Sequence, residues 1–278
     1  MEPDFNEAEV VRYSRHILLD EVGSTGQARL RDASVLVVGA GGLGCPLVLY
    51  LAAAGVGRIG IVDGDTVELS NLQRQIGHTT AGLGRPKAAS LAEAAGAINP
   101  LVRLEPHQRR LDAGNALALV GDYDIVCDAT DNFPTRFLVS DACVLARRTL
   151  VSAAVLRFEG QLATFKPHAD GPQGGGPCYR CLYPAPPPPD AVPSCAEAGV
   201  LGAVVGVLGT LQATEVLKEI LGIGETLAGR LLIWDALSLR TRLVKLRPDP
   251  ACPACGPHAT LTDLSAHMLH TGEPACAL

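Results

Sequence analysis

Apolar runs alternate with stretches of helical period along this chain, and that alternation predicts most of the fold. Val35-Leu36-Val37-Val38 is apolar and β-branched, as expected of a strand covered on both faces. Cys45 to Ala54 reads as a helix punctuated by Gly55 and Gly57, and Arg58 to Val62 as a second strand ending at Asp63. Upstream, Asn6 and Glu9 have capping-box spacing for a first helix whose apolar side would be Val10, Ile17 and Leu18. Arg12, Arg15 and His16 would ride on its solvated face, and Thr25 to Asp32 reads as a short second helix. Downstream, a helix from Lys87 to about Ala97 stops at Asn99-Pro100, Leu101 to Leu104 is a candidate third strand, and Asp124 to Asp128 a fourth. A helix follows from Pro134 to Ala146, with Asp131 as its candidate N-cap. Leu150 to Val155 is another strand, and Gly160 to Phe165 alternates in the antiparallel manner. Gly199 to Leu221 is a core helix, and Leu231 to Asp235 with Leu239 to Leu246 a closing hairpin.

These elements predict an α/β fold with a Rossmann-like doubly wound sheet. Its N-terminal half is mainly parallel, and its C-terminal half carries antiparallel strands and a structural zinc site. The expected organisation is one domain over 1–256, with an N-terminal helical arm, and a tail over 257–278.

Between the first strand and its helix lies Gly39-Ala40-Gly41-Gly42-Leu43-Gly44, a G-x-G-x-x-G with an acid, Asp63, about 20 residues further on. Glycines there let the backbone approach a phosphate, and the helix start adds free N–H groups. One reading is an NAD(P)-dependent dehydrogenase with Asp63 on the ribose hydroxyls. Ser70-Asn71-Leu72-Gln73-Arg74-Gln75 and then Lys87 point elsewhere. A dinucleotide pyrophosphate is managed by glycine amides and a helix end, whereas a triphosphate calls for Arg, Lys and a metal.

Composition narrows the classes further. A hydrophobic content of 47% supports a sizeable core, and a net charge of −6 with no basic stripe argues against nucleic acid as the main partner. The longest apolar stretch, Ala198 to Leu211, is too short and glycine-rich to span a membrane, and the acidic N-terminus lacks the apolar core of a signal peptide. A soluble cytoplasmic protein is expected. Four of the nine cysteines form two C-x-x-C pairs, Cys178/Cys181 and Cys252/Cys255. Four thiolates suit tetrahedral zinc and leave no open position, so the site reads as structural. It would clip the proline-dense loop from Pro184 to Pro193, and the core helix, to the end of the chain. A non-catalytic zinc scaffold is the remaining alternative. Cys195 stands apart, after that loop and before a helix start, where a thiol's pKa is lowered.

The motifs RYSRHI, GAGGLG, DGDTVELSNLQRQ, GRPKA, ATDNFPTR, CYRCLYP, SCAEAGVLG and CPAC run from Arg12 to Cys255. Together they resemble the MoeB/ThiF family, bacterial relatives of the ubiquitin-activating enzymes, and most closely its MoeB type. The resemblance implies ATP- and Mg²⁺-dependent adenylation of the C-terminal glycine of a small ubiquitin-like sulfur carrier, MoaD- or ThiS-like. A sulfur donor protein would then convert the acyl-adenylate to a thiocarboxylate. By motif, the nucleotide set is Gly39, Gly41, Gly42, Asp65, Ser70, Gln73 and Asn132, with Asp63 on the ribose. Asn71, Arg74 and Lys87 would meet the phosphates, and Asp131 would hold Mg²⁺. Arg15 would reach the triphosphate of the partner subunit in a homodimer. Cys195 matches a loop cysteine that some members use covalently. The carrier's tail is expected to enter as an extended strand near Gly160 to Phe165 or under the proline loop. His78 and His107 read as bystanders, because an ionised carboxylate needs no general base.

Overall fold

The computed structural model describes residues 4–169, 175–188 and 198–270. Asn6 caps α1 (Glu7–Ile17) with both halves of the capping box: Glu9 N–H donates to its side chain and its own N–H donates to the Glu9 carboxylate, each at 3.0 Å. The apolar side expected for this helix is not its buried side. Val10 and Leu18 are exposed, and the residue that packs is Tyr13. Its ring fills the space beside Gly55, and its hydroxyl accepts from Asn99 Nδ2 at 2.9 Å.

After α2 (Gly23–Asp32) the chain enters β1 (Ser34–Val38), crosses through α3 (Gly44–Ala54) to β2 (Arg58–Val62), and crosses again through α4 (Lys87–Ile98) to β3 (Arg103–His107). The third strand thus begins later than the sequence suggests. Leu101 is exposed in the turn, and pairing with β2 starts at Arg58 opposite Arg103. Next come α5 (Ala116–Gly121), β4 (Ile125–Asp128), α6 (Phe133–Ala146), β5 (Thr149–Leu156) and β6 (Glu159–Phe165). The short α7 (Tyr179–Leu182), the long α8 (Gly202–Leu221) and the hairpin β7 (Arg230–Asp235) and β8 (Arg240–Lys245) complete the elements used below. One eight-stranded sheet runs β3-β2-β1-β4-β5-β6-β7-β8. Pairing is parallel from β3 to β5 and antiparallel from β5 to β8. Strand alternation splits the core. Val35 and Val37 pack with α3, α4 and α8 on one face, and Leu36 and Val38 with α5 and α6 on the other. No helix among the described residues is long and apolar enough to cross a membrane.

Residues after Gly256 add to this body. Leu264 is buried in the second face of the core, and His267 Nε2 lies 2.8 Å from Asp141 on α6.

The end of β4 is held by a buried ion pair. Asp128 is 0% exposed and accepts from Arg136 Nε at 3.0 Å and Ser152 Oγ at 2.7 Å on one oxygen. Its other oxygen accepts from Thr130 N–H at 3.0 Å and Thr130 Oγ1 at 2.6 Å. Arg136 Nη2 donates onward to Thr130 O at 2.7 Å, and Gln212 Nε2 to Asp128 O at 2.9 Å. Burial lowers the Arg136 pKa, but the charge of Asp128, together with Tyr179 and the hydrogen bonds to both, outweighs this and raises it. The pair therefore fixes the turn from Ala129 to Asn132. Removing one partner strands the other charge in the interior, so Arg136→Met should cost about 3–5 kcal/mol in urea unfolding. Asp128→Asn added to Arg136→Met should recover part of that loss. A single variant with an unchanged midpoint would show that the pair does not hold the turn.

Candidate active site at the carboxyl ends of the parallel strands

The glycine loop is shaped by contacts that leave no room for side chains. Gly39 has φ +101°, and a Cβ there would lie 2.8 Å from Ala129 O. A Cβ on Gly44 would lie 1.9 Å from Gly39 O, so the loop can close back on the strand only as glycine. Gly42 is shut in by Val205 of α8 and by the stem of Arg74. Gly41 differs: a Cβ there would meet nothing nearer than Gln75 Nε2 at 3.7 Å, which leaves an open cradle above the loop.

Asp63 ends β2 beside this cradle. One carboxylate oxygen accepts from Ala40 N–H and the other from Asp65 N–H, each at 2.8 Å. Burial raises its pKa, opposed by these two bonds and by Lys87. Lys87, the first residue of α4, is nearly buried and points its ammonium at Asp65, 3.3 Å away. Arg110, which the sequence did not single out, reaches the same Asp65 carboxylate at 3.5 Å and lies against Gly64. Two 3-10 turns carry the chain between these acids and α4, at Leu69–Asn71 and Thr80–Gly82. Ser70 and Gln73 are exposed there, and Arg74 Nη1 donates to Ser70 O at 3.2 Å. Gly202 at the start of α8 lets the Gln73 carbonyl approach. Asn71 and Gln75 are buried, and Asn71 Oδ1 and Gln75 Oε1 have no hydrogen-bond partner among the described residues. Amide oxygens left unpartnered next to an open glycine cradle are what a missing polar ligand would explain.

At the neighbouring strand end, Asp131 is exposed while Asp128 is fully engaged. The N-cap of α6 is Asn132 rather than Asp131: its side chain accepts from Thr135 N–H at 2.9 Å. The Asp131 carboxylate is thereby left available. The strand ends thus bring together Gly39, Gly41, Gly42, Asp63, Asp65, Asn71, Arg74, Lys87, Asp131 and Asn132. Arg15 is not among them. It is exposed on α1, which packs through Tyr13 against Gly55 and Asn99, the turns that lead into β2 and β3. Those turns lie at the amino ends of the strands, the opposite end from the glycine loop. Cys195 lies outside the described residues. β6 is paired along both edges, so a substrate tail cannot be added to it as a strand.

Away from the strand ends, Cys178, Cys181, Cys252 and Cys255 form the one group of three or more potential ligands found among the described residues, with all Sγ atoms within 4.8 Å. Neighbouring sulfurs lie 3.4, 3.5 and 4.0 Å apart. Tetrahedral ligands at about 2.3 Å from zinc stand about 3.8 Å from one another, so the donor set fits such an ion. Hydrogen bonds from the Cys178 and Cys255 thiols, with Asp249 N–H, pull the Cys181 thiol well below its usual range. Arg180, inside the first knuckle, makes two bonds of 2.7 Å to the buried Asp141, which ties the knuckle to α6.

The ThiF family pattern matches residues 13–254. The chain is 53% identical over 257 residues to the sulfur carrier protein adenylyltransferase of Thermus thermophilus, covering 92% of this chain and 94% of that one. It is 54% identical over 268 residues to the bovine adenylyltransferase and sulfurtransferase MOCS3, covering 96% of this chain but 58% of that protein's length. With the probable adenylyltransferase/sulfurtransferase MoeZ of Mycobacterium tuberculosis it shares 54% over 245 residues, 88% of this chain and 62% of that one. The fold is also that of Escherichia coli MccB, with a TM-score of 0.76 at 21% identity over 91% of this chain and 74% of that one. Glycine loop, strand-end acids, cations and three of the four clustered cysteines fall within the matched span, and the chain belongs to the ThiF family.

Proposed function

We propose that the chain adenylates the C-terminal carboxylate of a small ubiquitin-like sulfur carrier protein with ATP and Mg²⁺. The observation that carries this reading is the convergence of an open glycine cradle with Asn71, Arg74 and Lys87 at the strand ends. Family membership and the relatives' names point the same way.

In this reading the triphosphate lies over Gly41, with the N-terminus of α3 behind it. Asp63, fixed by Ala40 and Asp65, takes the ribose hydroxyls. The carrier's carboxylate attacks the α-phosphorus: its oxygen forms the new P–O bond, and the bond to the β-phosphate breaks to release pyrophosphate. Like charges oppose that approach, and Arg74 and Lys87 offset them as charge builds on the phosphates. Mg²⁺ held by a carboxylate of the chain would supply Lewis-acid stabilisation of the charge that builds on the phosphates. Asp131 is the carboxylate free to hold it. No base is needed, since a C-terminal carboxylate is already ionised at neutral pH. Cys195 takes no part in chemistry at phosphorus. Its role would be in the later sulfur transfer from a donor protein. A carrier of the molybdopterin-synthase type, of the thiamine type or of a pathway of its own would each fit this reading.

Zinc in the cysteine cluster is structural in this reading, joining α7 to the segment after β8. Purified protein should hold one zinc per chain, and Cys252→Ser should release it and lower the thermal midpoint. Folded protein without metal and with four freely titratable thiols would refute this.

The position of α1 at the amino ends of the strands, away from its own chain's glycine loop, supports a site completed by Arg15 from a second copy. The exposed Val11, Leu18 and Leu19 of the arm offer surface for that pairing. Arg15→Ala and Asp131→Ala should each abolish carrier-dependent ATP–pyrophosphate exchange while leaving the fold intact. After subunit exchange of equal amounts, about a quarter of wild-type sites should return, because each mixed dimer has one site with both residues intact. Activity staying at background, with exchange of subunits verified separately, would show that Arg15 acts within its own chain or not at all.

A further inference from the structure

His78 sits beneath the glycine loop with both ring nitrogens engaged. It is buried, Nε2 lies 2.9 Å from Ala40 O, and Nδ1 lies 3.0 Å from Ser90 Oγ. A carbonyl oxygen can only accept, so Nε2 carries the proton and Nδ1 accepts from the Ser90 hydroxyl. Its backbone N–H donates to Gln75 O at 3.0 Å. The ring can come this close because the preceding residue is Gly77, where a Cβ would lie 2.5 Å from Leu91 Cδ1 and 3.0 Å from Cys45 Sγ.

Each of these contacts reaches a different part of the phosphate site. Ala40 lies inside the glycine loop, and the two peptide groups that flank its Cα are both held, the N–H by Asp63 and the carbonyl by His78. Ser90 is on the first turn of α4, the turn that begins with Lys87. Gln75 ends the segment that holds Asn71 and Arg74. Loop, cations and amide segment come from three stretches of chain, and His78 touches all three. The charged groups facing the ring are Lys87 and Asp63. Burial pushes the imidazole pKa down and Lys87 adds to this, against the Ala40 bond and Asp63, which favours the neutral ring that the tautomer requires.

We infer that His78 is a positioning residue for the nucleotide, locking the glycine loop, the Asn71–Arg74 segment and the Lys87 turn at the spacing a triphosphate needs. The inference rests on the adenylation reading and names the part of the chain that sets its ATP affinity. His78 does not touch the reacting atoms and acts through Ala40 and Ser90.

The test is equilibrium binding of ATP–Mg²⁺ to the full-length protein, alongside the KM values for ATP and carrier in pyrophosphate exchange. His78→Phe keeps the volume and removes the donor. It should weaken ATP binding roughly tenfold to a hundredfold, as small misplacements at such sites do, and leave the carrier KM within about twofold. His78→Gln can donate an amide N–H towards Ala40 O and should recover most of the loss. Ser90→Ala removes the ring's second anchor without altering core volume, and carries the test if His78→Phe does not fold; ATP binding should weaken roughly twofold to tenfold. ATP affinity unchanged in His78→Phe or in Ser90→Ala overturns the inference, as does equal loss in His78→Phe and His78→Gln. Wild-type protein that fails to bind ATP overturns the adenylation reading as well, whereas normal wild-type binding with unimpaired variants overturns this inference alone.

Discussion

The chain must turn from β1 into α3 so tightly that Gly44 lies against the carbonyl of Gly39, and the organisation of the strand ends depends on that contact. Gly39 in turn lies against Ala129, the first residue after β4. The loop that follows the first strand and the turn that follows the fourth are therefore spaced by backbone contact, with no side chain between them. This is the switch point of a doubly wound sheet, where crossovers leave in opposite directions and a crevice opens. A Cβ at either glycine would push the two halves apart, and an adjustment of tenths of an ångström would reach Asp63, Lys87 and Asp131 together.

Charge at this crevice is arranged against the trend of the whole molecule. The chain carries a net charge of −6, yet Arg74, Lys87 and Arg110 gather near the loop. Asp65 offsets two of these cations, so the arrangement stays balanced without a ligand. In the proposed reading an incoming triphosphate would compete with Asp65 for Lys87, with three anionic groups in place of one carboxylate. On the same side of the balance, the Asp128–Arg136 pair is closed within itself and leaves Asp131 as the exposed acid of the turn.

Much of this was legible in the sequence, where local chemistry and tertiary role coincide. The β-α-β unit, the capping box of α1, the hairpin and the two cysteine pairs all announce themselves through spacing. Readings that rested on one local rule fared worse. Val10 and Leu18 look like a buried face, but the helix packs through Tyr13, whose burial depends on the space beside Gly55. Asp131 and Asn132 are both good caps, and only the backbone path chose Asn132. Asp128 passed as the end of an apolar strand because its partner, Arg136, sits on the next helix, in its first turn. His78 looked idle because its partners, Ala40 and Ser90, lie on separate elements. The segment after Gly256 has no periodicity, yet Leu264 and His267 bind it to α6 through contacts with distant residues.

The central claim is that a carrier carboxylate is the nucleophile at the α-phosphorus. It is tested most directly by following its oxygen. A small ubiquitin-like carrier ending in Gly-Gly is prepared with oxygen-18 in its C-terminal carboxylate and incubated with the enzyme, ATP and Mg²⁺. Sulfide is then added to cleave the acyl-adenylate at carbon. The account predicts AMP bearing one oxygen-18 atom, released with the thiocarboxylate carrier. Unlabelled AMP, or no AMP from any such carrier while ATP is bound, would contradict it.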